Sequence, residues 1–313
     1  MAKRPAAKRP PVSNRSSAPA KGGRPAGLFT WLAVGLVVVV VVALVIIKVM
    51  SSSPTTNASS GFQPVSTTVA NELTKIPASV FNDVGVTSPV APVTPPIPLK
   101  NQPALTATSS SGATLPEVFY LGAEYCPYCG AQRWPTIIAL SRFGTFSGLG
   151  NTTSSSIDIY PSTPTFTFVK ATYSSKYLVF KSVEEFTNIS DAATSFYTPL
   201  QKPTAAEEAN FKKYDTSKYI PGTTSQDNGA IPYISLGNQF LISGASYTPA
   251  TLQNLSRNTI AAGLDEPTNA VTQAIITSAN YQTAALCQLT KNQPSNVCTS
   301  TGVMAAKKVM GLK

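Results

Sequence analysis

No histidine occurs anywhere in the 313 residues of this chain. That removes Ser-His-Asp and Cys-His catalysis, histidine-ligated metals, and haem attachment after a Cys-x-x-Cys pair. Charge is scarce as well, since only 12% of residues are Asp, Glu, Lys or Arg, about half the usual share. Arginine almost vanishes from the body of the chain: beyond Met50 only Arg133, Arg142 and Arg257 remain. A phosphate-binding domain needs Lys and Arg clustered in its folded part, so nucleic acid is excluded as a partner. What is present is apolar residues at 42%, enough for a core, together with 26 prolines and Ser/Thr tracts that mark part of the chain as linker.

The formal charge of +10 is concentrated at one end. Lys3, Arg4, Lys8, Arg9, Arg15, Lys21 and Arg24 precede Leu28 with no acidic residue among them. Twenty uncharged residues follow, LFTWLAVGLVVVVVVALVII from Leu28 to Ile47. As a helix they reach roughly 30 Å, the thickness of a bilayer core, and they exceed the roughly 7–15 apolar residues of a signal-peptide core. The expected organisation is a basic cytoplasmic tail (1–27), one transmembrane helix (28–50) and an extracytoplasmic remainder, with the protein in the cell membrane as a single-pass anchor. Residues 51–112 hold nine prolines and twenty Ser or Thr and read as a stalk. Within it Val65, Val69, Leu73, Ile76 and Val80 have helical spacing after the cap residue Ser66, with Pro77 interrupting, which predicts a docking helix over 66–81.

The four cysteines fall into two pairs. Cys126-Pro127-Tyr128-Cys129 follows the apolar run Val118-Phe119-Tyr120-Leu121 and precedes an amphipathic stretch with Trp134, Ile137, Ile138, Leu140 and Phe143. The order is strand, Cys-x-x-Cys, helix. It places Cys126 at a helix N-terminus, where unpaired N–H groups and the helix dipole favour a thiolate. Cys129, one turn further, is within reach to close a disulfide. Such a pair can also be half of a four-cysteine zinc site or an inert bridge. The second half of a zinc site is missing, because Cys287 and Cys298 have ten residues between them and no histidine can substitute. No metal and no cofactor are expected. Cys287 and Cys298 lie in or after a helix expected from Pro267 to about Leu289, where they can form a structural disulfide or an electron relay to Cys126.

Ala123-Glu124-Tyr125-Cys126 resembles the approach to the thioredoxin active site, and Pro127-Tyr128 is the dipeptide typical of glutaredoxins. The segment from Gly229 to Ala245, GAIPYISLGNQFLISGA, resembles the cis-proline segment of thioredoxins: Ile-Pro opens a strand, Gly-Asn turns a hairpin, and a second strand ends at glycine. In detail, FYLGAEYCPYCGAQRW, ALSRFGTFSGLG, TPTFTF, SKYLVF and SGASYTP together look like an uncharacterised family of membrane-anchored thioredoxin-like proteins, domain of unknown function 929, over about residues 66–300. The resemblance implies an α/β fold with a thioredoxin-like central sheet, flanking helices and an insertion, preceded by one transmembrane helix. The domain is expected over 113–300, with a C-terminal helix and a tail at 301–313. Tyr120 stands where thioredoxin carries a buried proton-shuttling aspartate, which leaves Glu124 or water as the candidate for proton transfer. The interval from Cys129 to Pro232 is long for the fold, and its strand-like Thr165–Lys170 and Tyr177–Phe180 and helical Ala205–Tyr214 are expected to form the insertion.

The function expected is thiol-disulfide exchange on protein thiols or disulfides, with an unidentified redox partner. Cys126 attacks, Cys129 resolves, and Pro232 with Ile231 and Tyr233 positions substrate beside Pro127 and Tyr128. The alternative is a non-catalytic binding module on the same fold, in which the cysteines are structural disulfides.

Overall fold

The structure, a computed structural model, describes residues 61–88 and 92–313. The expected basic tail, the membrane span at 28–50 and the first part of the stalk lie outside the described residues. Among the described residues no helix is long and apolar enough to cross a membrane. The chain begins with β1 (Gln63–Pro64), α1 (Thr67–Thr74), α2 (Ala78–Val84), β2 (Ile97–Pro98), β3 (Thr106–Thr108) and β4 (Thr114–Gly122). Helix α3 (Pro127–Ser141) leads to β5 (Gly144–Ser147), β6 (Gly150–Thr153), β7 (Pro164–Thr167), β8 (Thr172–Ser175) and β9 (Val179–Glu184). A hairpin of β10 (Phe186–Asp191) and β11 (Phe196–Pro199) and helix α4 (Ala205–Tyr214) precede β12 (Tyr233–Leu236) and β13 (Phe240–Ser243). Helices α5 (Arg257–Ala262), α6 (Ala270–Leu289), α7 (Ser295–Cys298) and α8 (Thr301–Met310) close the chain.

The result is a mixed α/β protein with several sheets. Its principal sheet is organised by β4, which pairs in parallel with β9 from Glu117↔Val179 to Gly122↔Glu184. On its other edge β4 pairs antiparallel with β12, from Tyr233↔Leu121 to Leu236↔Val118. The β12–β13 hairpin turns through Gly237 and Asn238, whose φ angles of 61° and 53° suit a tight turn of the type that matches strand twist. Because side chains alternate across a strand, β4 feeds both faces of the sheet. Val118 and Tyr120 join the larger core with α3 and α6, and Phe119 and Leu121 join a second core with Tyr214 and Tyr233. An apolar run buried on both faces is what Val118–Leu121 encodes.

Several boundaries differ from the sequence expectation for identifiable reasons. The 66–81 segment is two helices: Ser66 caps α1 by accepting from the Val69 amide at 3.3 Å, and Pro77 stands at the N-cap of α2. Val69, Leu73 and Val80 are buried in the main core. After the β12–β13 hairpin the chain forms a 3₁₀ turn, Pro249–Leu252, and then α5 in place of one continuous helix. Asn254 adopts φ 62° and Ser256 caps a new start at Arg257 by accepting from the Thr259 amide, so the chain cannot run through. Residues 301–313, set aside as a tail, contain α8, whose Val303 and Ala306 are buried and whose Gly302 lies against the Phe81 backbone.

Candidate functional site

Cys126 occupies the N-cap of α3, with φ −75° and ψ 121°, and Pro127 fills the first helical position. Proline suits that position, since its missing N–H would be unpaired there in any case. The Cys126 sulfur accepts from the Cys129 amide at 3.3 Å, and its thiol points to the Ile231 carbonyl at 3.7 Å. Both cysteines are free thiols; Cys126 keeps 6% of its surface exposed and Cys129 none. The hydrogen bond from the Cys129 thiol, then the helix-start amides and the charge of Arg133, hold Cys126 below the ordinary cysteine range against the cost of burial. Burial, reinforced by the hydrogen bond to Cys126, pushes the Cys129 thiol well up. The pair is therefore asymmetric, one sulfur disposed to ionise and one to stay protonated.

Helix α3 is buried on nearly every side from Pro127 to Leu140. Pro135 within it has no N–H to offer the carbonyl of Ala131. The Tyr247 hydroxyl donates to that carbonyl instead, at 2.8 Å. The Trp134 indole N–H donates to the Pro164 carbonyl at 3.0 Å, and the Gln132 side chain accepts from the Ser246 amide at 2.8 Å. These bonds fix the helix that carries both sulfurs.

One turn beyond Cys129, Arg133 is fully buried. Its Nε donates to Glu184 Oε1 at 2.9 Å, and its Nη2 donates to Glu184 Oε2 at 2.6 Å and to the Ala123 carbonyl at 2.8 Å. Its guanidinium carbon lies 5.7 Å from the centre of the Tyr120 ring. Gly122 leaves room behind the site: a Cβ there would lie 2.3 Å from the Tyr120 hydroxyl and 3.0 Å from the Cys129 sulfur. Tyr120 therefore stands behind the inner cysteine, and burial raises its phenol well above the usual range.

The residues singled out on sequence do not all converge. The Ile231-Pro232 bond is cis, and the Ile231 carbonyl faces Cys126. Tyr128 projects outward and packs edge-on against Tyr160 at 5.9 Å. Tyr233 is turned away, with its ring in the second core between Phe119 and Phe211 and its hydroxyl donating to Asn210 at 2.5 Å. The Glu124 carboxylate makes no hydrogen bond to either cysteine among the described residues; its backbone amide donates to the Phe186 carbonyl at 2.9 Å. Cys287 and Cys298 are joined as a disulfide with Cα atoms 5.6 Å apart, and both are buried. No group of three or more acidic or cysteine side chains suited to a metal occurs among the described residues. Sequence reasoning missed Arg133 and Glu184; the available signal was a lone arginine on the apolar face of the helix that follows the cysteines.

Fold and site thus define a mixed α/β protein with a free, electronically asymmetric Cys-x-x-Cys pair opening a buried helix. The family model described as Domain of unknown function (DUF929) matches residues 106–288, more than half of the chain, and the protein belongs to that family. Comparison with curated proteins and with solved structures returned no match.

Proposed function

We propose that the protein is a membrane-anchored, extracytoplasmic thiol-disulfide oxidoreductase with a thioredoxin-like domain. The observation that carries the reading is Cys126 at a helix N-cap, its sulfur receiving the Cys129 amide and facing the Ile231 carbonyl next to a cis-proline. The order β9–β4–β12–β13, with β9 parallel to β4 and the other two antiparallel, supports the fold assignment, as do α3 leaving the end of β4 and α6 following the hairpin. The charge-free run 28–47 and its basic flank support the anchor and its orientation.

In this reading the Cys126 thiolate attacks a protein disulfide, and Cys129 then attacks Cys126 to release the substrate thiolate. Pro127 shapes the helix start, and Pro232 with Ile231 presents backbone beside the sulfur. A separate redox partner returns the pair to its starting state, and no cofactor takes part. The test is a trapping experiment with the full chain. Replacing Cys129 with Ser is expected to accumulate long-lived mixed disulfides through Cys126, and replacing Cys126 with Ser is expected to accumulate none. Equal behaviour of the two variants contradicts the reading.

A further inference from the structure

Two groups of apolar side chains face outward beside Cys126, and each is seated on one of its neighbouring tyrosines. Tyr125 stacks flat on Tyr197 of β11 at 4.2 Å and meets Phe196 edge-on at 5.5 Å. That hairpin leaves Phe196 45% and Ile189 43% exposed. On the other tyrosine, Tyr128 packs against Tyr160, which belongs to the loop from Ser154 to Thr163. The loop is held shut at its base: the Ser154 amide donates to the Thr163 carbonyl at 2.9 Å, and the Ser155 amide donates to the Tyr125 carbonyl at 2.8 Å. Its tip holds Ile157 and Ile159 at 76% and 70% exposure.

Of the eight large apolar side chains exposed among the described residues, six (Tyr128, Ile157, Ile159, Ile189, Phe196 and Leu200) belong to the Cys126 helix start, this loop and this hairpin with its exit, and such clustering marks an interaction surface. Carboxylates flank both groups, with Lys202 beyond the far end of the hairpin. Asp158 separates the two isoleucines, and Glu124 and Glu185 hold backbone hydrogen bonds to the hairpin. A carboxylate between Ile157 and Ile159 opposes insertion of the tip among lipid tails and repels acidic chains. It suits lysine or arginine beside apolar residues. Cysteine and the large aliphatic residues are among the side chains most often buried in folded proteins. A partner that presents apolar side chains around its cysteine is therefore a chain not yet folded, or locally opened.

We propose that these two walls are the docking surface for an unfolded, apolar and basic protein segment whose cysteine sulfur is the one Cys126 attacks. The proposal rests on the thiol-disulfide reading of the same site and names its substrate class. The Cys126 thiolate bonds to one substrate sulfur and expels the other as a thiolate, which takes up a proton. Cys129 loses its proton to solvent and attacks the Cys126 sulfur, expelling the second thiolate. The substrate has gained two electrons, and the protein ends with a Cys126–Cys129 disulfide.

The experiment uses the reduced full chain and two synthetic peptides with one central cysteine, each joined to 2-mercaptoethanol. One peptide carries Leu and Lys around the cysteine, the other Ser and Glu. Second-order exchange rates are measured for both, with hydroxyethyl disulfide as reference. Native protein is expected to favour the Leu/Lys peptide by about tenfold or more, and I157S/I159S is expected to bring the ratio toward one. A native ratio near one, or a ratio unchanged in I157S/I159S, overturns the proposal. Peptides with Ser in place of Cys, followed by fluorescence anisotropy, test docking without exchange. If hydroxyethyl disulfide does not react but the Leu/Lys peptide still binds through Ile157 and Ile159, the redox reading fails and the surface stands. Binding of phosphatidylcholine vesicles through the two isoleucines, without peptide discrimination, assigns the surface to the membrane and overturns the proposal.

Discussion

Arg133 and Glu184 form a doubly hydrogen-bonded ion pair with no exposed surface on either side chain, one helical turn beyond Cys129. The pair joins the helix that carries the cysteines to the end of β9, the strand parallel to β4. Burial alone drives Glu184 toward protonation and Arg133 toward neutrality, and each holds the other's charge against that cost. Removing one partner leaves an uncompensated buried charge. E184Q and R133M are each expected to lower unfolding free energy by about 3–5 kcal/mol. The double variant is expected to lose less than the sum, a coupling that denaturant unfolding measures. R133M also removes a charge that favours the Cys126 thiolate, so its alkylation midpoint moves to higher pH.

The Cys287–Cys298 bridge closes a short loop after α6 and is fully buried. In the chain-entropy model a loop of this length contributes about 2–3 kcal/mol. Replacing both residues with Ala is expected to lower the thermal midpoint while Cys126 keeps its alkylation rate. Loss of exchange in a folded double variant would instead make the pair an electron relay.

Asp215 has a buried carboxyl whose oxygens reach hydrogen-bonding geometry with no partner, although Ser243 and the Gly229 and Ala230 backbone lie near enough to oppose the effect of burial. Burial pushes it up to about 6. The folded protein therefore keeps a proton between pH of about 4 and 6 that the unfolded chain has released, and stability falls as pH rises through that window. D215N removes this slope. Relative to D215N, the native chain is expected to lose about 1–2 kcal/mol between pH 4 and 7 in urea unfolding, the full shift being discounted for partial solvation.

Gly302 lies where α8 meets α2: a Cβ there would stand 2.1 Å from the Phe81 carbonyl oxygen. Backbone cannot yield as a side chain can. G302A is expected to cost about 2 kcal/mol or more and to loosen the C-terminal helix, read as faster amide exchange across 301–310.

What the sequence showed of this molecule followed the range of the interactions involved. The strand, Cys-x-x-Cys and helix order was legible because apolar alternation, Pro127 and the following amphipathic run act within twenty residues. The Gly237-Asn238 turn was legible because its left-handed backbone favours those two residues. Arg133 and Glu184 were not, being 51 residues apart; nothing local to Glu184 tells a buried partner from a solvated one. Helix α8 escaped although Val303, Ala306 and Met310 are spaced for one apolar face, because the burial of ten residues at the end of the chain depends on contact with α2, more than 200 residues earlier. The inward turn of Tyr233 was readable in principle, since alternation puts it opposite Ile234 on β12, but the proximity of Pro232 drew it into the expected site.

The central claim is that Cys126 is a nucleophile made by its place at the helix start. Its most direct test is the pH dependence of iodoacetamide alkylation in the reduced full chain, with the modified residue identified by peptide mass. Alkylation is predicted at Cys126 with a midpoint clearly below the ordinary cysteine value of about 8.5, while Cys129 stays unmodified until well above it. A Cys126 midpoint at or above 8.5, or reaction at Cys129 first, would contradict the account.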